Sequence, residues 1–368
     1  MLGNHSLLSP SASERWLNCT PSARLTEDIV EDQSSYAEEG TEAHSLCEYK
    51  VNSLLGLDVQ DPRSDMKFLN AEMEDSSDEY AAFIAEVANS GKMNFIQTEM
   101  SLDISRYVPE CRGTGDCVVI VDETLHIIDF KYGKGVEVNA EHNTQLMLYA
   151  LGALELLDDI YEIEAVSLTI FQPRIANVTS WSIGKADLVS WAEKDLKPKA
   201  ELAFNGEGNQ SSGPWCRFCK LKANYRKRAE DNLALARLDF KNPPTLQDDE
   251  LTEVLNKADE LYSWCEDVRE YALNVLLNGG HIEGFKIVEG RSIRKYTDEE
   301  SVAKTVKDAG FDPYEHKVLG ITAMTGLLGK KKFNELLSSF IVKPQGKPTL
   351  AKESDKRPAI GTNDFNDK

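Results

Sequence analysis

Apolar residues recur along this chain in two rhythms, and the change from one to the other organises it. Over residues 38–55 they fall at helical spacing, with Ala43, Leu46, Cys47, Val51 and Leu54 on one stripe, so the pattern predicts a helix. A shorter helix is predicted before it. Ser9-Pro10-Ser11-Ala12-Ser13-Glu14 places Ser, Pro and Glu where a helix start uses them; the segment would carry Trp16 and Leu17 and end near Pro21. Residues 58–78 are polar, rich in Asp and Ser, and read as a loop; a third helix is predicted over 78–88.

The rhythm then shortens. Residues 94–102 read as a strand. Cys117-Val118-Val119-Ile120-Val121, the polar Asp122-Glu123-Thr124, and Leu125-His126-Ile127-Ile128-Asp129-Phe130 read as a β-hairpin. Residues 143–157 return to helical spacing through Leu146, Leu148, Tyr149, Leu151, Leu154 and Leu157. Residues 165–171 form another apolar strand and 187–203 another helix. Helices alternating with strands predict an α/β core, a mixed sheet flanked by helices.

Beyond residue 205 the signal weakens. Residues 206–213 are a Gly/Ser/Asn loop, and 216–228 hold Arg217, Lys220, Lys222, Arg226, Lys227 and Arg228 with no acidic residue. Asn242-Pro243-Pro244 marks a boundary. A long acidic helix over 246–277, a hairpin over 285–296 turning at Gly290, and a helix over 299–307 predict a mostly helical extension; from Lys343 the composition is that of a disordered tail. The expected domains are therefore 1–240, an accessory region 241–342, and a tail 343–368.

Composition narrows the classes. The 368 residues carry 62 Asp and Glu against 41 Lys and Arg, a net charge of −21, which argues against wrapping nucleic acid by charge alone but not against a nuclease, whose metal ligands are themselves acidic. No stretch approaches the roughly 20 apolar residues of a membrane span, and Met1-Leu2-Gly3-Asn4-His5 lacks the features of a secretory signal. Seven cysteines without a signal are expected to remain thiols in a reducing cytoplasm.

The stretch richest in chemistry is Gly113-Thr114-Gly115-Asp116 followed by Asp129-Phe130-Lys131. In a hairpin Asp116, at the start of one strand, and Asp129, near the end of the other, become neighbours. Asp129 and Lys131, two apart, share a face of the strand. Two carboxylates suit a hard divalent cation, and a lysine beside them orients water or stabilises charge developing on a phosphate. Taken alone, Asp-x-Lys is common at hairpin ends; here it closes an otherwise apolar strand.

Together with Gln145 and Tyr149 on the following helix, these motifs resemble the PD-(D/E)XK nuclease superfamily, and within it the RecB-like exonuclease branch with its phage and prophage proteins. The resemblance covers about residues 5–235. It implies a restriction-endonuclease-like core, Asp116 and Asp129 as ligands of Mg²⁺ or Mn²⁺ with the Phe130 carbonyl as a third, and Lys131 as the catalytic lysine. It makes His44 a further metal ligand, and Gln145 and Tyr149 the Gln-x-x-x-Tyr pair flanking the site. The i, i+4 spacing independently puts that pair on one helical face. Without the resemblance, His44 and Tyr149 would more often be ordinary helix residues. Glu99 reads equally as a site member and as a solvated strand residue.

In iron–sulfur members of that branch one N-terminal cysteine joins three C-terminal ones. Cys19, Cys216 and Cys219 match three of those places, and Tyr225 stands at the fourth. A three-thiolate cluster, a zinc site with another ligand, and no metal at all are open readings. Arg174, Arg217, Lys220 and Lys222 are candidate DNA contacts, with a solvated face as their alternative. The expected activity is metal-dependent DNA hydrolysis, as an exonuclease in phage or prophage recombination or replication, with a phage or host protein of those processes as a further partner. The alternative is a catalytically inactive DNA-binding or scaffold module on the same fold.

Overall fold

In a computed structural model, the described residues are 6–29, 35–234, 247–289, 296–314 and 318–342. Two compact units divide at Ile287, Met1–Ile287 and Val288–Lys368. The expected boundary at Asn242-Pro243-Pro244, the Gly290 turn and the tail from Lys343 lie outside the described residues.

The first unit is built on a five-stranded sheet in the order β1 (Met93–Asp103), β2 (Arg112–Val121), β3 (Thr124–Phe130), β4 (Ala165–Gln172), β5 (Asn177–Gly184). All pairs are antiparallel except β3–β4, which is parallel. A parallel pair needs a crossover, and the helix over Thr144–Leu157 supplies it. The helices of this unit are α1 (Ser13–Asn18), α2 (Ser22–Leu25), α3 (Ser35–Leu54), α4 (Ala71–Ala88), α5 (Thr144–Leu157), α6 (Lys185–Trp191), α7 (Lys197–Asn205), α8 (Arg226–Leu233) and α9 (Asp248–Leu277). The second unit carries α10 (Glu299–Asp308), α11 (Ile321–Leu328) and α12 (Lys330–Leu337). The expected mixed sheet flanked by helices, with a helical extension, is thus what the chain forms. Among the described residues no helix is long and apolar enough to cross a membrane.

Strand alternation sorts the side chains into two cores. On one face Val118, Ile120, Leu125 and Ile127 pack against Leu146 and Ala150 of α5. On the other, Cys117, Val119, Ile128 and Phe130 pack against Ala43 and Leu46 of α3 and Tyr80 and Ile84 of α4. The alternation slips at one place. Phe95 packs on the α5 side, as do Met100 and Leu102, although their parity differs. The same happens on β2: a Cβ at Gly113 or Gly115 would meet Tyr149 or Leu102 on the α5 side, the side taken further on by even-numbered Val118. The slip falls at Glu99 and Asp116, and Glu99 has φ +45°.

Several elements differ from the sequence pattern. α4 begins at Ala71, not near residue 78, because the Asn70 side chain accepts from the Met73 N–H at 3.0 Å and caps it. Its first turn is mostly acidic, so only Met73 marks the buried stripe. β2 begins at Arg112, which puts Asp116 inside the strand. β5 was not predicted; its outward positions are small or polar except Val178, and its inward ones include Asn177 and Thr179. The helix expected over 187–203 starts at Lys185 and reaches Asn205 through a π-helical turn at Ala192–Leu196. Residues 285–289 of the expected hairpin carry no strand.

Candidate metal centre

The β1–β2 register sets Thr98 beside Cys117 and Met100 beside Gly115, so Glu99 faces Asp116 across the ladder. The β2–β3 pairing of Cys117 with Ile128 brings Asp129 next to Asp116 in the same way. The Phe130 N–H donates to Asp116 Oδ2 at 2.7 Å and pins that carboxylate. From α3, His44 Nδ1 reaches within 3.4 Å of the same oxygen, and the His44 ring stands edge-on to Phe130. One donor atom each from His44, Glu99 and Asp116 lie within 4.8 Å of one another.

Lys131 follows β3, and its N–H donates to the Phe171 carbonyl at 2.9 Å, extending the parallel ladder one residue. Its Nζ lies 2.9 Å from Asp129 Oδ2 and donates to Gln145 Oε1 at 3.1 Å. Gln145 Nε2 donates to Asp129 Oδ1 at 3.4 Å and to Tyr149 Oη at 3.1 Å. One amide on α5 therefore holds lysine, carboxylate and phenol together. Gly113 explains part of the Gly-Thr-Gly-Asp motif, since a Cβ there would stand 2.7 Å from Tyr149 Cε1.

The electrostatics follow from crowding. Burial lifts the Asp129 carboxyl, with Lys131 opposing. Burial also works against a charged Lys131, but the adjacent Asp129 outweighs it and the ammonium is strengthened. Burial opposes charge on Asp116 too; there His44 and the Phe130 N–H prevail and the carboxyl is lowered. His44 is raised, because the Asp116 carboxylate overcomes the cost of burying the imidazolium. Glu99, for which desolvation and then the Asp116 charge are the main causes, is pushed up to about 7.

The donor set fits a divalent cation. It combines carboxylate oxygens with an imidazole nitrogen, and Asp129 Oδ2 is buried with the Lys131 ammonium 2.9 Å away. Sequence reasoning left Glu99 undecided; its pairing with Asp116 is what brings it in. Gln172, two residues before the candidate DNA contact Arg174, is buried at the end of β4. It accepts from the Val138 N–H and donates to the Gly133 and Val136 carbonyls, shaping the loop after Lys131.

The other candidates lie elsewhere. Arg174 is clamped by Glu72 at 2.9 Å and Glu39 at 3.4 Å and lies over the Tyr132 ring. Arg217 is exposed beside Phe218, Lys220 donates to the Ile29 carbonyl, and Lys222 pairs with Asp267 at 2.9 Å. None of these partners belongs to the carboxylate cluster. Arg228, at the end of the basic run, is buried and paired with Asp267 at 2.6 Å, which docks α9. Cys19, Cys216, Cys219 and Tyr225 line one small cavity, and Tyr225 Oη is 3.6 Å from Cys19 Sγ. With about 10 Å³ of space, thiols not gathered as a ligand group and a phenol bonded to one of them, this corner does not fit an iron–sulfur cluster.

Fold and site together define an α/β protein in which the central hairpin, His44 of α3 and Glu99 of β1 form a histidine–carboxylate–lysine cluster suited to a divalent cation. The chain belongs to the DUF2800 family, described as a protein of unknown function, whose profile matches residues 5–358. Among solved structures it is similar to "Crystal structure of SSO0001", at 14% identity over 51% of this chain and 98% of that one, with a TM-score of 0.25.

Proposed function

We propose that this chain is a Mg²⁺- or Mn²⁺-dependent deoxyribonuclease of the RecB-like PD-(D/E)XK type, acting as an exonuclease in the cytoplasm during phage or prophage recombination or replication. The observation that carries this reading is the convergence of His44, Glu99, Asp116 and Asp129 beside Lys131, a charged ammonium held by Gln145. A binding module needs no such combination.

His44, Glu99, Asp116 and Asp129 would hold the cation, which when bound supplies an activated water and positive charge for the phosphate. The rest is the work of the chain. Lys131 carries its charge at the edge of the cluster, where it orients the attacking water and stabilises negative charge building on the phosphate oxygens. Gln145 fixes the lysine's direction through Oε1 and Asp129 through Nε2, and Tyr149, by accepting the second Nε2 hydrogen, fixes which way the amide faces. The Phe130 N–H holds Asp116 against rotation.

The test is degradation of linear and circular, double- and single-stranded DNA by the purified full chain with Mg²⁺, Mn²⁺ or EDTA, beside Asp116→Ala and Lys131→Ala. Metal-dependent loss of linear DNA, sparing of circles, and inactivity of both variants are expected. Equal cleavage by the variants overturns the site. DNA binding without cleavage replaces the enzyme with a catalytically inactive module.

A further inference from the structure

The carboxylates of the cluster stand on β1, β2 and β3, but His44 stands on α3, a helix packed over the sheet. A polar tie joins α3 to sheet residues on either side of that histidine. On its C-terminal side, Thr98 Oγ1 of β1 donates to Asn52 Oδ1 at 3.0 Å. On its N-terminal side, Arg174 Nη1, in the 3₁₀ turn Pro173–Ile175 that follows β4, reaches Glu39 Oε1 at 3.4 Å.

Arg174 also grips the other half of the site. The same Nη1 lies 3.4 Å from the carbonyl of Tyr132, the residue after Lys131, and the guanidinium stands 4.3 Å from the centre of the Tyr132 ring. Its Nη2 meets Glu72 Oε2 of α4 at 2.9 Å, and Lys134 Nζ meets Glu72 Oε1 at 2.9 Å. Lys134, Glu72, Arg174 and Glu39 therefore alternate in charge from the loop after Lys131, past α4, to α3. The Arg174 side chain is 13% exposed. Two carboxylates, a carbonyl and an aromatic face together suit a planar, forked guanidinium and not an ammonium. Gln172, bonded to the Gly133 and Val136 carbonyls, holds the same loop from the end of β4.

We propose that Arg174 is the positioning residue of the metal centre: through Glu39 it keeps His44 within reach of Asp116, and through the Tyr132 carbonyl it fixes the strand end that carries Lys131. It touches neither cation nor DNA. The proposal rests on the reading of His44 and Asp116 as metal ligands, and it replaces the expectation that Arg174 contacts a phosphate. His44 Nδ1 stands 3.4 Å from Asp116 Oδ2. Ligand distances in a metal site are held to within about 0.2 Å, so a small pivot of α3 about its Asn52 end takes the imidazole out of the ligand set.

The test uses the full chain as wild type, Arg174→Ala, Arg174→Lys, Glu39→Gln and His44→Ala. Mn²⁺ affinity is read by calorimetric titration. Losing a group that orients a ligand costs about 10- to 100-fold; a loss of about tenfold is expected for Arg174→Ala, with smaller losses for Arg174→Lys and Glu39→Gln. At saturating Mn²⁺, electron spin-echo modulation from the imidazole nitrogen is expected in wild type, absent in His44→Ala and reduced in Arg174→Ala. An arginine that served stability alone would leave it intact. Binding of a short DNA duplex in EDTA, followed against salt, reads the phosphate alternative. A lost phosphate contact would lower the salt slope by about one in Arg174→Ala, and Glu39→Gln would tighten binding by freeing the guanidinium; neither change is expected. If Arg174→Ala does not fold, Arg174→Lys and Glu39→Gln decide by the same readings. Unchanged Mn²⁺ affinity, intact nitrogen modulation or a lowered salt slope overturns the positioning role and leaves the centre standing. A wild type that binds no Mn²⁺, or binds it without nitrogen modulation, overturns His44 as a ligand and this proposal with it.

Discussion

Glu99 faces Asp116 across the β1–β2 ladder at the place where both strands shift their alternation by one residue. Its backbone sits at φ +45°, a conformation that non-glycine residues adopt rarely and that concentrates at functional sites. The shift in alternation lets a residue of β1 and one of β2 approach the middle of α3, where His44 lies.

At the proposed cation site, Glu99 and His44 should make binding depend on pH. A ligating carboxylate must be deprotonated and a ligating imidazole neutral. Glu99 is raised to about 7 and His44 is raised from its ordinary value. Mn²⁺ affinity should therefore rise steeply as pH increases through 7, read by calorimetric titration, and Glu99→Gln should flatten the rise and weaken binding. In metal-free protein the sign is opposite. A carboxyl raised on folding contributes stability that is complete below its unfolded value of about 4.3 and is lost as pH rises through about 7. The gain in melting temperature on adding Mn²⁺ should thus grow between pH 6 and pH 8, both on the order of one unit from neutrality.

Gln145 touches Lys131, Asp129 and Tyr149 at once. Removing such a supporting residue costs about 10- to 100-fold in metal affinity or activity. Gln145→Ala should lower the turnover of linear DNA by that factor with a small change in melting temperature, and Tyr149→Phe should have the same direction and a smaller effect. Undiminished turnover in Gln145→Ala would show that Lys131 holds its position without the amide.

Gly113→Ala tests the fit between β2 and α5. The added methyl would meet Tyr149 Cε1 at 2.7 Å and Pro10 Cγ at 3.0 Å. Overpacking of this kind costs about 1–3 kcal/mol, and here the ring that must move is the one bonded to Gln145. A lower midpoint in urea together with reduced turnover is expected. Gly133→Ala, with open space around its Cβ position, serves as the control.

The Arg228–Asp267 pair is buried, with Arg228 at 2% exposure and Lys222 also on Asp267. Asp267→Ala leaves a buried guanidinium without its counter-charge, which costs about 3–5 kcal/mol. Urea unfolding of the full chain should show that loss, and the double variant Arg228→Met/Asp267→Leu should recover most of it. Equal instability of single and double variants would mean that packing, rather than charge, seats α9.

Local pattern alone determined much of this protein. Helical spacing identified α3 and α5, the alternation around Asp122-Glu123-Thr124 identified the β2–β3 hairpin, and that hairpin is what brings Asp116 to Asp129 and sets Lys131 beside them. Gln145 and Tyr149 share a helical face for the same local reason. These relationships span short stretches of chain, and periodicity and pairing register govern them. The remainder depended on partners far away in sequence. Asn70 moves the start of α4 by capping, a signal hidden by an acidic first turn. β5 forms because β4 offers it an edge. Glu99 joins the centre through a shift in side-chain alternation that composition does not announce, and Arg174, 135 residues from Glu39, becomes a clamp. Arg228 reads in sequence as one more surface cation; 39 residues away, Asp267 supplies the charge that lets it be buried. The free energy of a buried ion pair or a shared ligand set belongs to the assembled pair, so neither residue displays it until the chain has folded.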